Sequence, residues 1–153
     1  RMGCDIPPVC MKHIDMTEKI PWNEMKQKYQ ESKFLFVPNI YDASPRVITE
    51  AMSINLPVLL NKNILGGWKY INKQTGELFN NIDDFSSQLQ KIISNNATYT
   101  PRKYILDNYG IVPSGKRLLE FIKKHYNQTL QLSPDIQYIT PRFNKKNYET
   151  SKQ

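Results

Sequence analysis

Two carboxylic acids, Asp42 and Glu50, flank a predicted helix start, with seven residues between them. Asp42 lies in the loop after an apolar run at residues 34–37, and Glu50 falls in the second turn of the predicted helix. A carboxylate accepts two hydrogen bonds in one plane, so it matches two neighbouring sugar hydroxyls. The pair is therefore a candidate site for sugar oxygens, although a turn-capping Asp and a solvated Glu also explain the spacing.

The predicted helix start between these acids is itself a candidate anion site. Ser44 is expected at the N-cap and Pro45 at the first helical position. The amides from Ser44 to Val47 would then point away from the helix, where the helix dipole attracts phosphate or sugar oxygens. Ligands of open α/β sheets bind where a parallel strand ends, which is the position of this loop.

The elements that would position these residues alternate between helix and strand. A helix is predicted from Pro21, with Trp22, Met25 and Tyr29 at helical spacing, followed by a strand at residues 34–37 covered on both faces. The second helix ends at Asn55, and its buried stripe contains Val47, Ile48, Ala51 and Met52. A second buried strand follows at residues 58–60. This order predicts parallel strands joined by a crossover.

Further elements are predicted downstream. Gly66-Gly67 precedes a short helix at residues 68–71, a turn at 73–76 and a strand at 77–79. Asp83 or Asp84 is expected to cap a helix that buries Phe85, Leu89, Ile92 and Ile93. Helices are also expected at residues 102–108, stopped by Gly110, and from Ser114, with Leu118, Leu119, Ile122 and Tyr126 inward. We therefore divide the chain into a short N-terminal segment with a possible strand (1–20), an α/β domain (21–126) and a basic, partly disordered tail (127–153).

Composition narrows the classes of protein. The net charge of +7 favours anionic partners, namely phosphate-bearing ligands, nucleic acid or acidic membrane, unless the lysines serve only solubility. No apolar run approaches the roughly 20 residues that span a bilayer, and no secretory signal is recognised, so a cytoplasmic protein is expected. Cys4, Cys10, His13 and His125 do not form a recognisable metal-binding pattern.

A series of short motifs carries a resemblance to a known family. In order they are Val37-Pro38-Asn39, Asp42, Glu50-Ala51-Met52, Pro57-Val58, Gly66-Gly67 and Thr75-Gly76. This order resembles the nucleotide-sugar half of retaining GT-B glycosyltransferases, and the resemblance extends over about residues 20–126. It implies a Rossmann-like parallel α/β sheet with flanking helices, corresponding to an incomplete C-terminal half of a GT-B fold.

The resemblance also implies roles for individual residues. Glu50 would hold the ribose hydroxyls and Asp42 the donor sugar, and these are the candidate catalytic residues. The candidate substrate-binding residues are Asn39, Ala43, Ser44, Arg46, Val47, Gly66 and Gly67. The substrate would be a nucleotide diphosphate sugar, with no metal or other cofactor, because helix amides and basic side chains stabilise the leaving diphosphate.

Some features depart from the family pattern. The family usually has Glu at the position of Asp42, followed by an aromatic residue and Gly, whereas Ala43-Ser44-Pro45 stands here. Asn55 replaces a Gly, and Asn tolerates the left-handed conformation. The family's basic diphosphate-binding residues and its acceptor domain precede this region, so we expect a preceding segment or a partner chain to contribute them.

Other interpretations remain open. Residues 110–116, GIVPSGK, match a phosphate-binding loop up to its Lys, but Arg117 follows instead of Ser or Thr. Basic and aromatic residues alternate near 99–104 and 138–148, a pattern that suits nucleic acid, although no recognition motif accompanies it. A non-catalytic remnant of a glycosyltransferase is the third possibility.

Overall fold

A computed structural model describes residues 9, 12–15, 17 and 20–126 of the chain. The helices are α1 (Trp22–Glu31), α2 (Arg46–Ser53), α3 (Ile82–Ser94), α4 (Pro101–Tyr109) and α5 (Ile111–Tyr126). The strands are β1 (Leu35–Val37), β2 (Val58–Asn61) and β3 (Gly76–Phe79), and short 3-10 helices span Trp68–Tyr70 and Asn96–Thr98. These elements confirm the predicted α/β class. The predicted N-terminal strand lies largely outside the described residues, and the tail lies wholly outside them.

The sheet is parallel, with the strand order β1-β2-β3. Leu35 pairs with Val58 and Val37 with Leu60, while Val58 pairs with Gly76 on the other side of β2. Because all strands run in one direction, the loops that follow β1 and β2 leave the same edge of the sheet. This edge is where the site residues are predicted.

The central strand β2 separates two apolar clusters. Val58 and Leu60 belong to the cluster built with α1, α2 and α4, whereas Leu59 belongs to a second cluster with Phe79 of β3 and Ile92 of α3. All three β2 residues are fully buried. The continuous apolar run of β2 therefore marks a strand covered on both faces, as predicted.

The first strand departs from that prediction. Phe36 is 44% exposed, although its ring contacts those of Phe79 and Phe85 at centroid distances of 5.7 and 5.4 Å. β1 lies at the edge of the described sheet, so its flanking helix covers it only partly. The same apolar pattern thus accompanies a central strand and an edge strand.

Two predicted helix starts are wrong by one residue. Pro21 and Pro45 are the N-caps of α1 and α2, with extended ψ angles of 155° and 97°, rather than first helical residues. Ser44 accordingly does not cap α2, and no side chain does. The proline ring restricts φ to a value that suits both helical and extended backbone, so the local sequence leaves ψ undecided.

The cap predicted for α3 is also wrong. The Asn81 side chain accepts hydrogen bonds from the amides of Asp83 and Asp84, while the Asp84 carboxylate accepts from the Asn81 amide. This reciprocal pair is a capping box, and it places the helix start earlier than an aspartate cap would. Hydrogen bonds from the amides of Asn81 and Asn80 lower the pKa of the Asp84 carboxyl.

Several side chains predicted to face the core are exposed. They are Trp22, Val47, Ile93, Leu118 and Tyr126. The last helix also begins at Ile111, three residues before the predicted Ser114. Helical spacing defines an apolar stripe, but the neighbouring elements decide how much of that stripe is covered. None of the helices in the described ranges is both long enough and apolar enough to cross a membrane.

Candidate functional site

Two loops meet at the carboxyl edge of the sheet. One links β1 to α2 and the other follows β2, and main-chain hydrogen bonds join them. The Leu65 amide donates to the Ile40 carbonyl at 3.2 Å, and the Gly66 amide donates to the Asp42 carbonyl at 3.0 Å. The β1–α2 loop, which contains the candidate acid Asp42, is thus anchored by backbone from a distant part of the chain.

The Gly66-Gly67 pair permits this close approach. A Cβ atom on Gly66 would lie 1.9 Å from the Ala43 carbonyl oxygen, and one on Gly67 would lie 2.7 Å from Ile48 Cδ1. Gly67 also has a φ of 89°, in the left-handed region that L-residues with side chains rarely adopt. The glycines therefore let one loop pack on the other. Their predicted contact with a ligand remains a prediction.

A pocket of about 330 Å³ lies between the start of α2 and the 3-10 helix at Trp68–Tyr70. Its lining residues are Ala43, Ser44, Pro45, Arg46, Thr49, Leu65, Gly66, Gly67, Trp68, Lys69 and Tyr70. Five of the predicted substrate-binding residues come together here: Ala43, Ser44, Arg46, Gly66 and Gly67. The wall from Trp68 to Tyr70 was not predicted, although its position directly after the Gly-Gly pair was a signal for it.

The start of α2 presents main-chain donors. The amides of Arg46 and Val47 have no hydrogen-bond acceptor among the described residues. The Ser44 amide, also predicted to be free, instead donates to Asp42 Oδ1 at 2.9 Å. Val47 has an exposed side chain and lies outside the pocket lining, and its predicted contact with a ligand through its amide stays a prediction. Unpaired amides at a helix start suit an anionic oxygen.

The candidate acids occupy different surroundings. Asp42 is half-buried and closes the turn into α2 through the Ser44 amide. Glu50 is half-buried in α2, and its charge adds to the effect of burial in raising the pKa of the Tyr29 phenol. Neither carboxylate belongs to the pocket lining. Asn39 is exposed and follows Pro38, whose carbonyl accepts a 3.4 Å hydrogen bond from Asn61 Nδ2.

The pocket lining is positively charged. It contains Arg46 and Lys69 and no acidic side chain. Within the described part of the chain, the ion pairs are Lys91–Glu77 and Lys103–Asp107, so neither pocket cation is neutralised by a carboxylate. Such a lining favours an anionic ligand. The described ranges hold no group of three or more His, Cys, Asp or Glu side chains suited to a metal ion.

The competing phosphate-loop motif adopts a different structure. Gly110 ends α4, and the residues that follow it form the first turns of α5. A phosphate-binding loop requires main-chain amides that point at the ligand from a loop after a strand. This segment instead follows a helix and is helical itself, so it does not form such a loop.

The described part of the nucleic-acid motif is used for packing. Tyr99 is buried and its hydroxyl donates to Glu77 Oε1 at 2.8 Å, while the Arg102 guanidinium donates to the Ser53 carbonyl. Tyr104 is half-buried, with its ring 6.1 Å from that of Tyr109. These side chains pack within the domain and hydrogen-bond to it, so they do not form a surface on which nucleic-acid bases could stack. The second stretch, 138–148, lies outside the described residues.

A parallel α/β sheet with a pocket beside its carboxyl edge defines a class of α/β domains in which that edge is the usual place for a ligand. Within this class, residues 10–108 match the family described as Glycosyl transferases group 1, and the chain belongs to that family. This match confirms the glycosyltransferase resemblance. No curated protein and no solved structure matches the chain.

Proposed function

We propose that this domain is the donor-binding, C-terminal half of a retaining GT-B glycosyltransferase. The observation that carries the proposal is the pocket at the start of α2, whose lining contains the cations Arg46 and Lys69. Within the described part of the chain, the main-chain amides of Arg46 and of the neighbouring Val47 have no hydrogen-bond acceptor. This combination of main-chain donors and cations fits the diphosphate of a nucleotide sugar.

The proposed reaction moves a sugar from its nucleotide diphosphate to an acceptor hydroxyl. The bond from the anomeric carbon to the diphosphate oxygen breaks, a bond to the acceptor oxygen forms, and the hydroxyl proton is released. Negative charge grows on the departing diphosphate, and the α2 amides and pocket cations stabilise it without a metal ion. A second domain, within a longer chain or on a partner, would hold the acceptor.

The two candidate acids keep separate roles in this proposal. Glu50 lies one turn into α2, on the side where its charge acts on Tyr29, and it would accept hydrogen bonds from the ribose hydroxyls. Asp42 would accept from the donor sugar through the carboxylate oxygen that does not bind the Ser44 amide. The nucleotide would therefore extend from the pocket across the first turn of α2.

Calorimetry with UDP, GDP and their sugars tests donor binding. We expect binding by the unmodified chain and its loss in Glu50→Ala, while Glu120→Ala, a matched change on exposed α5, binds as before. The donor role would be overturned if the chain binds none of these nucleotides, or if Glu50→Ala leaves its affinity for them unchanged. Equal, salt-sensitive binding of oligonucleotides by both forms would favour the nucleic-acid class instead.

A non-catalytic module is the second candidate. It is favoured by the engagement of Asp42 Oδ1 within its own turn and by the position of both acids outside the pocket lining. Assays of sugar transfer, repeated after addition of any upstream coding segment, separate the two candidates. Transfer that depends on Glu50 supports the enzyme, whereas nucleotide binding without transfer in either form supports the module.

A further inference from the structure

The last helix, α5, has an apolar stripe that the described fold leaves largely uncovered. Leu118 is 43% exposed, Phe121 53% and Tyr126 67%, and Ile122 is half-buried. These residues recur at the three- and four-residue spacing of one helix face. Gly115 is the one buried residue among the 16 of this helix. The apolar side of α5 is therefore a solvent-exposed surface in the part of the chain that the structure describes.

Two other helices bury their apolar stripes. Ile48 and Met52 of α2 belong to the larger apolar cluster, and Ile92 of α3 belongs to the second cluster. No residue of α5 belongs to either cluster of the described residues, although the helix packs against α4. The stripe of α5 is therefore not explained by packing against the sheet.

Cations border the stripe on both sides. Lys116 and Lys123 lie two turns apart along one border, and Arg117 and Lys124 lie two turns apart along the other. All four side chains are exposed, and none of them is part of the ion pairs found among the described residues. Glu120 lies between the two rows, on the side of the helix opposite the stripe. The surface is thus apolar in the middle and positively charged at its edges.

We propose that α5 docks the chain on a lipid surface that contains anionic phospholipids, with the helix axis in the plane of that surface. A helix of this kind buries its apolar face about 5–10 Å into the boundary between headgroups and acyl chains. The bordering lysines and arginines reach the anionic headgroups, because their aliphatic stems extend along the apolar boundary. The proposal does not use the pocket at the start of α2 and goes beyond the proposed function.

The charges favour lipid over a protein partner. The buried centre of a protein–protein interface is depleted in lysine, because each buried ammonium loses its hydration. Lysines beside an anionic lipid surface keep their contact with water and still gain attraction from the headgroups. An apolar stripe with exposed cations along both borders therefore complements an anionic lipid surface.

Co-sedimentation of the full chain with sucrose-loaded vesicles tests this docking. The probes are vesicles of phosphatidylcholine alone and vesicles of phosphatidylcholine mixed with phosphatidylglycerol. We expect binding to the mixed vesicles that weakens with added salt, and binding to phosphatidylcholine alone that is weaker by about tenfold or more. The proposal is overturned if the folded chain does not sediment with the mixed vesicles.

Variants of the stripe and of its border locate the docking surface. Phe121→Gln keeps a good helix former and should weaken binding to the mixed vesicles by about tenfold, whereas Ile82→Gln, at a 79% exposed position that begins α3, should not. Lys123→Gln should weaken the same binding by about fivefold, whereas Lys26→Gln, exposed on α1, should not. Equal losses in each variant and its control would indicate general adsorption of a basic chain and overturn the role of α5.

Sedimentation velocity and thermal unfolding identify the alternative occupants of the stripe. If the chain self-associates through Phe121 and does not bind vesicles, a second copy covers α5 and the lipid proposal is wrong. If the chain does not bind vesicles and Phe121→Gln lowers its thermal midpoint, another segment of the same chain covers the stripe, and the proposal is again wrong. Loss of vesicle binding in Phe121→Gln at an unchanged thermal midpoint supports docking on lipid.

Discussion

The main-chain amide of Gly66 donates a 3.0 Å hydrogen bond to the main-chain carbonyl of Asp42. This bond joins the loop after β2 to the loop after β1, and so connects the glycine pair to the candidate acid. Because Gly66 has no Cβ, the two backbones can approach until the Ala43 carbonyl occupies the space that a side chain would need. The position of Asp42 therefore depends on a residue that has no functional group.

Gly66→Ala should destabilise the domain. Its Cβ would lie 1.9 Å from the Ala43 carbonyl oxygen, and a backbone atom cannot turn aside as a side chain can. We expect a loss of more than about 2 kcal/mol in the free energy of unfolding, measured in urea. Ser86→Ala, on the exposed face of α3, should stay within about 0.5 kcal/mol of the unmodified chain. Equal stability of the two variants would show that the loops do not meet in this way.

Asp42→Asn separates the structural role of this side chain from its proposed binding role. Asparagine keeps an oxygen that can accept from the Ser44 amide, so the turn and the thermal stability should be retained. The loss of charge should still weaken binding of a nucleotide sugar by about tenfold relative to the nucleotide alone. Equal loss of affinity for both ligands would mean that Asp42 does not contact the sugar.

Asn55 combines a strained backbone with a side-chain bond. Its φ is 69°, and its Oδ1 accepts from the Arg102 amide at the start of α4. Asn55→Ala should cost about 2 kcal/mol, since it loses the hydrogen bond and tolerates the left-handed region poorly. Asn55→Gly loses only the bond and should be the more stable variant by about 1 kcal/mol in urea unfolding. The opposite order would contradict the left-handed assignment.

Tyr99 should make stability depend on alkaline pH. Burial, aided by its hydrogen bond to Glu77, raises the pKa of the Tyr99 phenol in the folded state. The contribution of the Tyr99 phenol to the free energy of unfolding is fully present below the unfolded-state pKa of about 10. It declines as pH rises further, because only the unfolded chain then releases the phenol proton.

Tyr99→Phe should therefore cost about 1.5–3 kcal/mol at pH 7, because it removes a hydrogen bond to a charged group. The difference should narrow in urea unfolding above about pH 10. Tyr41→Phe, at an exposed position, is the control and should change little at any pH. A constant Tyr99→Phe difference across this range would argue against a raised pKa.

Asp84 should make the stability of the domain depend on pH in the acidic range. Amide hydrogen bonds lower the pKa of its carboxyl in the folded state, so it stabilises the domain above the unfolded value of about 3.9 and this effect is lost as pH falls through the lower folded value. Asp84→Asn should lower the urea midpoint at pH 7 and match the unmodified chain in strong acid. Asp83→Asn is the control, since that carboxylate accepts no hydrogen bond among the described contacts. If the urea midpoints of Asp84→Asn and the unmodified chain still differ in strong acid, the pKa of Asp84 is not lowered in the folded state.

Local patterns in the sequence were sufficient for the order of elements and for much of the candidate site. The uninterrupted apolar run of β2 indicated a strand covered on both faces, because a strand with one solvent-exposed face would alternate apolar and polar residues. The left-handed Asn55 was predictable from residue type. The grouping of Ala43, Ser44 and Arg46 in one pocket followed from a parallel strand that feeds a helix.

Tertiary structure decided what local patterns leave open. The Asn81 cap depends on backbone ψ angles, and the exposure of Val47 depends on which neighbouring elements cover its helix. Residue type determines neither. The wall from Trp68 to Tyr70 reaches the start of α2 only because the parallel register brings two distant loops to one edge of the sheet. A sequence lists residues in one dimension, whereas this pocket requires two segments to meet, with the glycines at their contact giving the backbones room to do so.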